Sequence, residues 1–238
     1  MTILQLLRIS ALPTILSNVL AAYLIGHGDN FVLLLFLFVS ASSIYLGGMV
    51  LNDYFDADLD AIERPERPIP SGKISLQSAF ILGMSLTTIG VFIGFICPFL
   101  GQGGVSEKRM AIALVTILFC CAISYNAFLK RMSIIGPVTM GACRILCYLF
   151  VFFTVEQTVL TSHVIWSLLV GTYIMCLTMV SSFEANSPKI QKWASIALSM
   201  LIPIDAVACL FFVGIIPALF VISLYPLTIL LRRFVSMT

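Results

Sequence analysis

Residues 51–75 read LNDYFDADLDAIERPERPIPSGKIS, and this stretch holds six of the chain's eleven carboxylates together with three basic residues and three prolines. The rest of the chain is apolar: 60% of its 238 residues are hydrophobic and only 10% are charged. A water-soluble domain carries about a quarter charged residues. The composition therefore predicts a protein that crosses a membrane several times, and the charged stretch predicts a site at the membrane surface.

Hydropathy and chain-breaking residues divide the apolar remainder into eight segments long enough to cross a bilayer as helices. Pro203 and Asp205 interrupt the seventh segment and are expected to kink it. We therefore predict an all-α fold, a polytopic membrane bundle that forms a single domain over residues 1–238. The predicted spans are Leu7–Gly26, Phe31–Leu51, Leu76–Leu100, Met110–Phe128, Ile134–Phe153, Thr161–Ser181, Trp193–Val213 and Ile215–Leu231.

The basic residues lie mostly on one side of the predicted membrane. Threading the eight spans places ten Lys and Arg residues on the side of residues 52–75 and two on the other. Because cytoplasmic loops carry an excess of Lys and Arg, we expect both termini and the polar loops at 52–75, 125–133 and 182–192 to face the cytoplasm. A bacterial inner membrane or a plastid membrane fits this topology. The net charge of +2 gives no reason to expect a nucleic-acid partner.

Residues 52–60, which we call the acidic stretch, predict a metal site if the second span continues through them as a helix. Four oxygen-bearing side chains then lie within about 100° around the helix axis, whereas Asp58 lies opposite. Carboxylates crowded in this way need a cation, and hard oxygen ligands suit Mg²⁺. A solvated acidic helix end is the alternative. The predicted magnesium ligands are Asn52, Asp53, Asp56 and Asp60.

The loop that follows, ERPERPIPSGK at 63–73, is too rich in proline to be helical. Its cations Arg64, Arg67 and Lys73 lie within reach of the acidic stretch, and guanidinium groups bind phosphate oxygens in a bidentate way. A diphosphate bridged to the aspartates by Mg²⁺ would fit such partners. The ordinary positive charge of a cytoplasmic loop explains each of these residues singly.

The run NDxxDxxxD at 52–60, followed by RPxRPIPSGxIS at 64–75, resembles the first signature of the UbiA superfamily of intramembrane prenyltransferases. It is most similar to the branch of chlorophyll synthases and digeranylgeranylglyceryl phosphate synthases. Weaker agreements are SYNAFLKR at 124–131 and GPVTMGACR at 136–144. Arg8, Pro13 and Asn18 also resemble the first-helix pattern of the family, so the resemblance covers roughly residues 5–190.

The resemblance implies a nine-helix bundle around a central cavity, compared with eight spans from hydropathy. It implies Mg²⁺-dependent transfer of a prenyl group from a prenyl diphosphate to an aromatic or other lipophilic acceptor, with membrane lipid around the bundle. The implied catalytic residues are Asp53, Asp56, Asp60, Arg67, Lys73, Tyr125, Lys130 and Arg144. The implied substrate-binding residues are Asn18, Asn52, Arg64, Asn126, Arg131, Glu184, Asn186 and Lys189, of which Glu184 is also a candidate metal ligand.

The second acidic motif of the family, DxxxD after the sixth span, is degenerate in this chain. The segment reads SSFEANSPKIQK at 181–192, with Ser182 and Asn186 at the positions of the two aspartates and Glu184 as the remaining carboxylate. Two functions therefore stay open. One is a transferase with a weaker second metal site. The other is a homologue that binds a prenyl diphosphate or a lipid without transferring it, as part of a biosynthetic or transport assembly.

Arg144 lies about ten residues into the fifth span, or about 15 Å along a helix. At such depth an arginine is expected to face the bundle interior or a water-filled cavity. It either contacts a diphosphate or acceptor anion, or it forms an ion pair with a buried acid or with carbonyl groups. Asp205 is a candidate partner, but its place in the seventh span predicts the non-cytoplasmic half of the membrane. Tyr125 is expected at the inner end of the fourth span, near the diphosphate or simply at the interface.

Overall fold

The structure, a computed structural model, describes residues 2–156, 158–183 and 188–232. Every regular element within these ranges is a helix, and short 3₁₀ turns occupy Ile9–Ala11 and Leu129–Arg131. The helices are α1 (Thr2–Leu6), α2 (Leu12–Ile25), α3 (Phe31–Phe55), α4 (Ala57–Glu63), α5 (Leu76–Leu100), α6 (Val105–Ala127), α7 (Ile135–Val155), α8 (Thr161–Phe183), α9 (Pro188–Ser199), α10 (Leu201–Phe212), α11 (Ile215–Ile222) and α12 (Leu224–Arg232).

Seven helical stretches are long and apolar enough to cross a membrane, and a shorter apolar helix covers Ile9–Ile25. Together they account for the eight predicted spans, so the all-α membrane bundle is confirmed. The last two long stretches each consist of two successive helices, α9 with α10 and α11 with α12. Within the described ranges, no ninth apolar stretch of this kind is found.

Proline residues determine where the late helices begin. Pro203 is the third residue of α10, Pro217 the third of α11 and Pro226 the third of α12. In the first turn of a helix a proline is tolerated, because the missing N–H would have no partner there. The disturbance expected at Pro203 lies just before it, at Met200 between α9 and α10. The backbone of Met200 stays in the right-handed helical region, so one apolar stretch runs over Lys192–Phe212.

Helix α7 is the most enclosed of the long helices. Of its most apolar 18 residues, 56% are buried, compared with 17–44% for the other membrane-length stretches. It packs against α2, α6 and α8. A polar residue on α7, such as Arg144, therefore lies inside the protein rather than in lipid.

Helices α3 and α5 approach each other closely along a line of small residues. A Cβ atom built at Gly90 would lie 2.8 Å from the Ile44 nitrogen and 2.8 Å from the Ser40 carbonyl oxygen. A Cβ atom at Gly47 would lie 2.7 Å from the Gly83 carbonyl oxygen. The Ser40 hydroxyl donates a hydrogen bond to the Gly90 carbonyl oxygen at 2.7 Å. This contact holds α3, whose end carries the acidic stretch, against α5.

Gly90→Ala is expected to lower the stability of the bundle by about 1–3 kcal/mol, because the added methyl group meets backbone atoms that cannot rotate away. Gly48→Ala on α3 is the matched control, since a Cβ atom there meets only the Asn126 amide, at 3.8 Å. Alanine favours helix over glycine, so Gly48→Ala should be neutral or stabilising. Thermal unfolding of both variants in one detergent measures the difference. Equal midpoints would contradict the close-packing argument.

Two apolar clefts lie along α8. One, of about 410 Å³, follows its outer face, and the other, of about 470 Å³, lies between α8 and α9. Tyr173 and Cys176 line both of them. The residues that line these clefts include none from the acidic stretch, so the clefts are separate from the polar site described next.

Candidate active site

The acidic stretch is not one continuous helix. Helix α3 ends at Phe55, Asp56 adopts φ −97° and ψ 2°, and α4 begins at Ala57. The prediction of an unbroken helix through residues 52–60 is therefore wrong. Aspartate has a low helix propensity in helix interiors, because its short polar side chain competes for the hydrogen-bonding groups of the backbone. Here its carboxylate also pairs with Lys130, which lies on a different element.

Two carboxylates of the acidic stretch nevertheless meet at one arginine. Nη1 of Arg67 lies 2.7 Å from Oδ2 of Asp60 and 3.5 Å from Oδ1 of Asp53. Nη2 of Arg8 donates a hydrogen bond to Oδ1 of Asp53 at 2.7 Å. Both aspartates are buried, whereas Asp58 is exposed. The break in the helix thus leaves the two ends of the acidic stretch facing the same point.

Lys130 makes a further ion pair at this place. Its Nζ lies 2.7 Å from Oδ1 of Asp56, and 3.3 Å from both the carbonyl oxygen and the Oδ1 of Asn52. The pKa of Lys130 is lowered from its ordinary value, because burial disfavours the charged amine more than the Asp56 carboxylate favours it. We use the name polar mouth for the group formed by Arg8, Asn52, Asp53, Asp56, Asp60, Arg67 and Lys130.

The proline-rich loop is anchored beside the polar mouth. Ile69 and Ile74 pack on a small apolar cluster that includes Val50, near the end of α3. Gly72 adopts φ +73°, and its N–H bonds to the Ile69 carbonyl oxygen at 3.0 Å. Because only glycine adopts this left-handed conformation without strain, Gly72 closes the turn. The fixed loop in turn presents Arg67 to the two aspartates.

Three of the predicted cations are available for a ligand. Arg64 and Lys73 lie on the proline-rich loop, and Arg131 lies beside Lys130 in the 3₁₀ turn. None of the three forms an ion pair with a residue in the described part of the chain. Lys73 and Arg131 are exposed to the surroundings of the bundle.

The end of α6 contributes two more of the predicted residues. Asn126 is buried, and its Nδ2 donates hydrogen bonds to the carbonyl oxygens of Gly48 at 3.1 Å and Ala122 at 2.9 Å. This amide therefore ties α6 to α3. Tyr125 precedes Asn126 in the last turn of α6, the helix that leads into the 3₁₀ turn of Lys130.

A second polar group, which we call the deep cluster, lies inside the bundle. It consists of Asn18 on α2, Arg144 and Tyr148 on α7, and Asp205 on α10, all buried. Oδ1 of Asn18 accepts a hydrogen bond from Nη1 of Arg144. Nδ2 of Asn18 donates to Oδ2 of Asp205 at 2.7 Å and to the Tyr148 hydroxyl oxygen at 3.0 Å. The Tyr148 hydroxyl donates to Oδ1 of Asp205.

Asp205, the candidate partner of Arg144, lies in the same polar cluster, but its link to Arg144 is indirect. The two side chains do not bond directly, but Asn18 joins them. Tyr148 lies one helical turn beyond Arg144 on α7 and also reaches Asp205. Counting residues along a span gives the approximate membrane depth of each residue. It does not show that a third side chain, here Asn18, can connect two residues at different depths.

Three residues of these two groups were not among the predicted site residues: Arg8, Tyr148 and Asp205. Arg8 had only a family-pattern signal, and the structure gives it a left-handed backbone, with φ 46°, at the point where the chain enters the first 3₁₀ turn. Asp205 had a physical signal, since an acid within an apolar span is costly and is usually functional. Tyr148 had no signal, because tyrosine is ordinary in membrane helices.

The degenerate second motif lies outside the part of the chain that the structure describes in full. Glu184 and Asn186 fall in residues 184–187, which are not described, and only the backbone of Ser182 and Lys189 is described. The roles predicted for Glu184, Asn186 and Lys189 therefore stay predictions.

The polar mouth suits Mg²⁺ in the kind of atoms that it offers, but it is not a closed metal cage. Among the described residues, no three acidic, His or Cys side chains converge on a common metal position. Mg²⁺ usually binds through one or two carboxylates and takes its other ligands from water and phosphates. The mouth therefore fits a metal ion that is shared with a phosphate-bearing ligand.

Membrane-length helices, paired charges at one end and a buried polar cluster together define an integral membrane protein whose site suits ligands with a charged head and an apolar body. The chain belongs to the UbiA prenyltransferase family, which matches residues 10–237. The family resemblance inferred from the motifs at 52–75 is thus confirmed.

Curated relatives share about a third of the matched residues. The digeranylgeranylglyceryl phosphate synthase of Methanothermobacter thermautotrophicus is 31% identical over 177 residues, which cover 74% of this chain and 56% of that protein. The synthase of the same description from Ignicoccus hospitalis is 36% identical over 130 residues, or 55% of this chain and 39% of that protein. The chain thus spans about half, or less, of the length of the curated relatives it matches.

Solved structures share the fold at low sequence identity. A UbiA homolog from Archaeoglobus fulgidus, bound to GPP and Mg²⁺, has a TM-score of 0.65 at 13% identity, covering 98% of this chain and 87% of that one. A structure described as giving insights into digeranylgeranylglyceryl phosphate synthase in membranes has a TM-score of 0.57 at 19% identity, with the same coverage. These similarities support the helical architecture over nearly the whole chain.

Proposed function

We propose that the chain transfers a prenyl group from a prenyl diphosphate to an aromatic or other lipophilic acceptor within the membrane, with Mg²⁺ as its cofactor. The observation that carries this proposal is the polar mouth, where three carboxylates and three cations form ion pairs at one end of an apolar bundle. Such a group can receive an anion and a divalent cation together. Family membership and the ligands of the A. fulgidus homolog support the same chemistry.

The residues of the mouth have complementary tasks. One or two of the carboxylates of Asp53, Asp56 and Asp60, with the Asn52 amide, would hold Mg²⁺ when it is bound, and the ion would draw negative charge onto the departing diphosphate. The cations that now pair with these carboxylates would then donate hydrogen bonds to phosphate oxygens, Arg67 through its planar fork.

Bond breaking at the diphosphate would be driven by this electrostatic environment. The C–O bond of the prenyl diphosphate breaks with its electron pair on the leaving oxygen, which leaves an allylic cation. Lys130 would stabilise the charge that develops on the diphosphate. Arg64, Lys73 and Arg131, which form no ion pair with a described residue, are proposed to assist it. The acceptor then forms a bond to the allylic carbon and releases a proton. Tyr125, at the end of α6, is the aromatic residue proposed to stabilise the allylic cation through its ring face.

Arg144 is suited to contact the acceptor. Its Nη1 bonds to Asn18 and to the carbonyl oxygen of Thr14, and its Nη2 bonds to the Thr14 hydroxyl. One Nη2 N–H and the Nε–H make no hydrogen bond to a residue in the described ranges. These two donors suit an anionic oxygen of the acceptor. The phosphate in the name of the archaeal relatives' product is consistent with such an acceptor.

The same proposal includes the orientation of the bundle. We propose that the polar mouth and both termini face the cytoplasm, in a bacterial inner membrane or a plastid membrane, because the basic residues cluster at that end. A prenyl diphosphate made in the cytoplasm would then reach the mouth directly, and the acceptor would enter from the lipid.

Release of diphosphate tests the proposed activity. Purified protein in lipid, supplied with Mg²⁺ and geranylgeranyl diphosphate, is expected to release diphosphate only when an acceptor is added. The acceptor panel should hold a prenylated glyceryl phosphate, a carboxylated phenol, a neutral phenol and a polyprenol. Release that needs both Mg²⁺ and one acceptor would support the transferase. Product analysis by mass must show the acceptor enlarged by one prenyl group.

A second candidate function is favoured by the degenerate second motif, which offers one carboxylate, Glu184, where family enzymes have two aspartates. A chain with one strong acidic motif could hold a prenyl diphosphate or a lipid for a biosynthetic or transport assembly without transferring it. Tight Mg²⁺-dependent binding of geranylgeranyl diphosphate, with no release across the whole panel, would favour this function over the transferase.

A further inference from the structure

We propose that Asp205 is a positioning residue, which holds the amide of Asn18 in one orientation and through it fixes Arg144 for an acceptor that carries an anionic oxygen. This inference deepens the proposed function, because it assigns the deep cluster to the acceptor and leaves the prenyl diphosphate to the polar mouth. It rests on the proposed function for the identity of the acceptor. The link from Asp205 to Arg144 is a property of the bundle and can be tested without turnover.

The amide of Asn18 can take only one orientation. Its two N–H groups are both used, one on Asp205 and one on the Tyr148 hydroxyl oxygen, and its Oδ1 accepts from Arg144. A flipped amide would set its NH₂ group against the guanidinium and its oxygen against the carboxylate. The first contact would place donor against donor, and the second would place acceptor against acceptor. The carboxylate therefore selects the orientation in which Oδ1 faces Arg144.

Asp205 is surrounded by donors. Its Oδ1 accepts from Tyr148, and its Oδ2 accepts from Asn18 and from the Ser17 hydroxyl, each at 2.7 Å. This set suits a carboxylate, which can only accept hydrogen bonds. The negative charge of Asp205 and the positive charge of Arg144 thus offset each other across the Asn18 amide.

A purely structural tie would not need these charges. Ionisable groups are costly at this depth in a membrane, and a buried ion pair can often be replaced by apolar residues without loss of stability. The indirect arrangement has a specific effect on Arg144. A direct ion pair with Asp205 would occupy a second edge of the guanidinium. The Asn18 bridge instead takes one N–H, and two donors have no partner in the described part of the chain. The geometry thus retains binding capacity on a fixed arginine.

The kinetic test separates the two ligands. Asp205→Leu is expected to raise KM for an acceptor with a phosphate or carboxylate about tenfold or more. Its Kd for geranylgeranyl diphosphate with Mg²⁺ should stay within about twofold of the unchanged protein. The neutral phenol of the panel should be affected less than the two anionic acceptors, and comparing the phosphate with the carboxylate identifies the preferred anion. Equal losses in acceptor KM and diphosphate Kd would overturn the proposal, because they would indicate general damage.

Tyr148→Phe and Ser17→Ala form a matched pair of milder substitutions. Each removes only one hydroxyl group and is less disruptive to the fold than Asp205→Leu. Each removes one hydroxyl bond to Asp205, but only Tyr148 also bonds to Asn18, and Ser17 has a second acceptor in the Thr14 carbonyl oxygen at 3.1 Å. Tyr148→Phe should raise acceptor KM severalfold, whereas Ser17→Ala should leave it unchanged. The same KM for both variants would overturn the relay through Asn18.

Unfolding midpoints test the link itself. Asp205→Leu and Arg144→Met, made singly and together, should show non-additive shifts in midpoint, and the coupling should vanish when Asn18→Ala is present in all four proteins. Additive shifts with Asn18 intact would overturn the proposal. Coupling that depends on Asn18, found in a protein without turnover on any acceptor, would support the relay and count against the transferase alone.

Discussion

Asp56→Ala is expected to abolish Mg²⁺-dependent binding of a prenyl diphosphate and to slow diphosphate release by about a hundredfold or more. Asp56 lies at the break between α3 and α4, where its carboxylate reaches Lys130. Removing it takes away a predicted metal ligand and also leaves the Lys130 amine without its carboxylate partner. Both losses act at the place where the diphosphate is expected to lie.

Asp58→Ala is the matched control for this experiment. Asp58 belongs to the same short segment and carries the same charge, but its side chain is exposed and makes no ion pair with a described residue. Binding and turnover should stay within about twofold of the unchanged protein. Isothermal titration with and without Mg²⁺, together with diphosphate release, compares the two variants. Similar losses from both would show that general negative charge, rather than the geometry of the mouth, attracts the ligands.

Arg67→Met is expected to lower the stability of the ligand-free protein by about 3 kcal/mol, as is typical when one partner of a buried ion pair is removed. The Arg67 side chain is 15% exposed, and it contacts two carboxylates that are 6% exposed. Asp53 keeps Arg8 as its partner. Asp60 loses its ion pair and is left as an unpaired buried acid, which is the main source of the cost.

Arg64→Met on the same loop provides the comparison, because Arg64 makes no ion pair with a described residue, and its effect should stay within about 0.5 kcal/mol. Adding Asp60→Asn to Arg67→Met should recover part of the lost stability, since the unpaired charge is then gone. Thermal or denaturant unfolding in detergent gives the values. If Arg67→Met and Arg64→Met are equally mild, the ion pairs at the mouth do not contribute to the stability of the bundle.

The membrane spans were predictable because few backbone structures can cross the hydrocarbon core of a membrane. A segment that crosses the hydrocarbon core must be helical, apolar and of a certain length, so hydropathy alone matches both ends of α5 and finds the ends of α7 and α8 to within two residues. For α3 and α6, one predicted end differs from the helix end by four or five residues. The breaks within the last two spans follow less directly. Pro203 indicated an irregularity in the seventh span, but whether a proline bends a helix or begins a new one depends on its neighbours.

The contacts between helices inside the bundle were not predictable in the same way. Hydropathy gives the length of a helix and says nothing about which helices touch, so the contacts of Asp205 with Ser17 and Asn18, nearly two hundred residues apart, carry no local signal. The pair of Arg8 with Asp53 is missed for the same reason. The side chains of the acidic stretch were grouped correctly from the sequence, but one regular helix was assumed to run through them. The non-helical backbone of Asp56 changes the angular positions of the side chains that follow it.

The ion pairs within the polar mouth would make the two proposed ligands, Mg²⁺ and a diphosphate, interdependent. A metal ion that arrives alone must pull aspartates away from Arg67 and Lys130, and a diphosphate that arrives alone must pull those cations from the aspartates. Each ligand alone therefore leaves charges of one sign stranded, whereas the two together give every group a new partner. Thermodynamic linkage then requires that each ligand tightens the binding of the other by the same factor. The proposed site would therefore bind free magnesium or free phosphate weakly and the complex of the two more tightly.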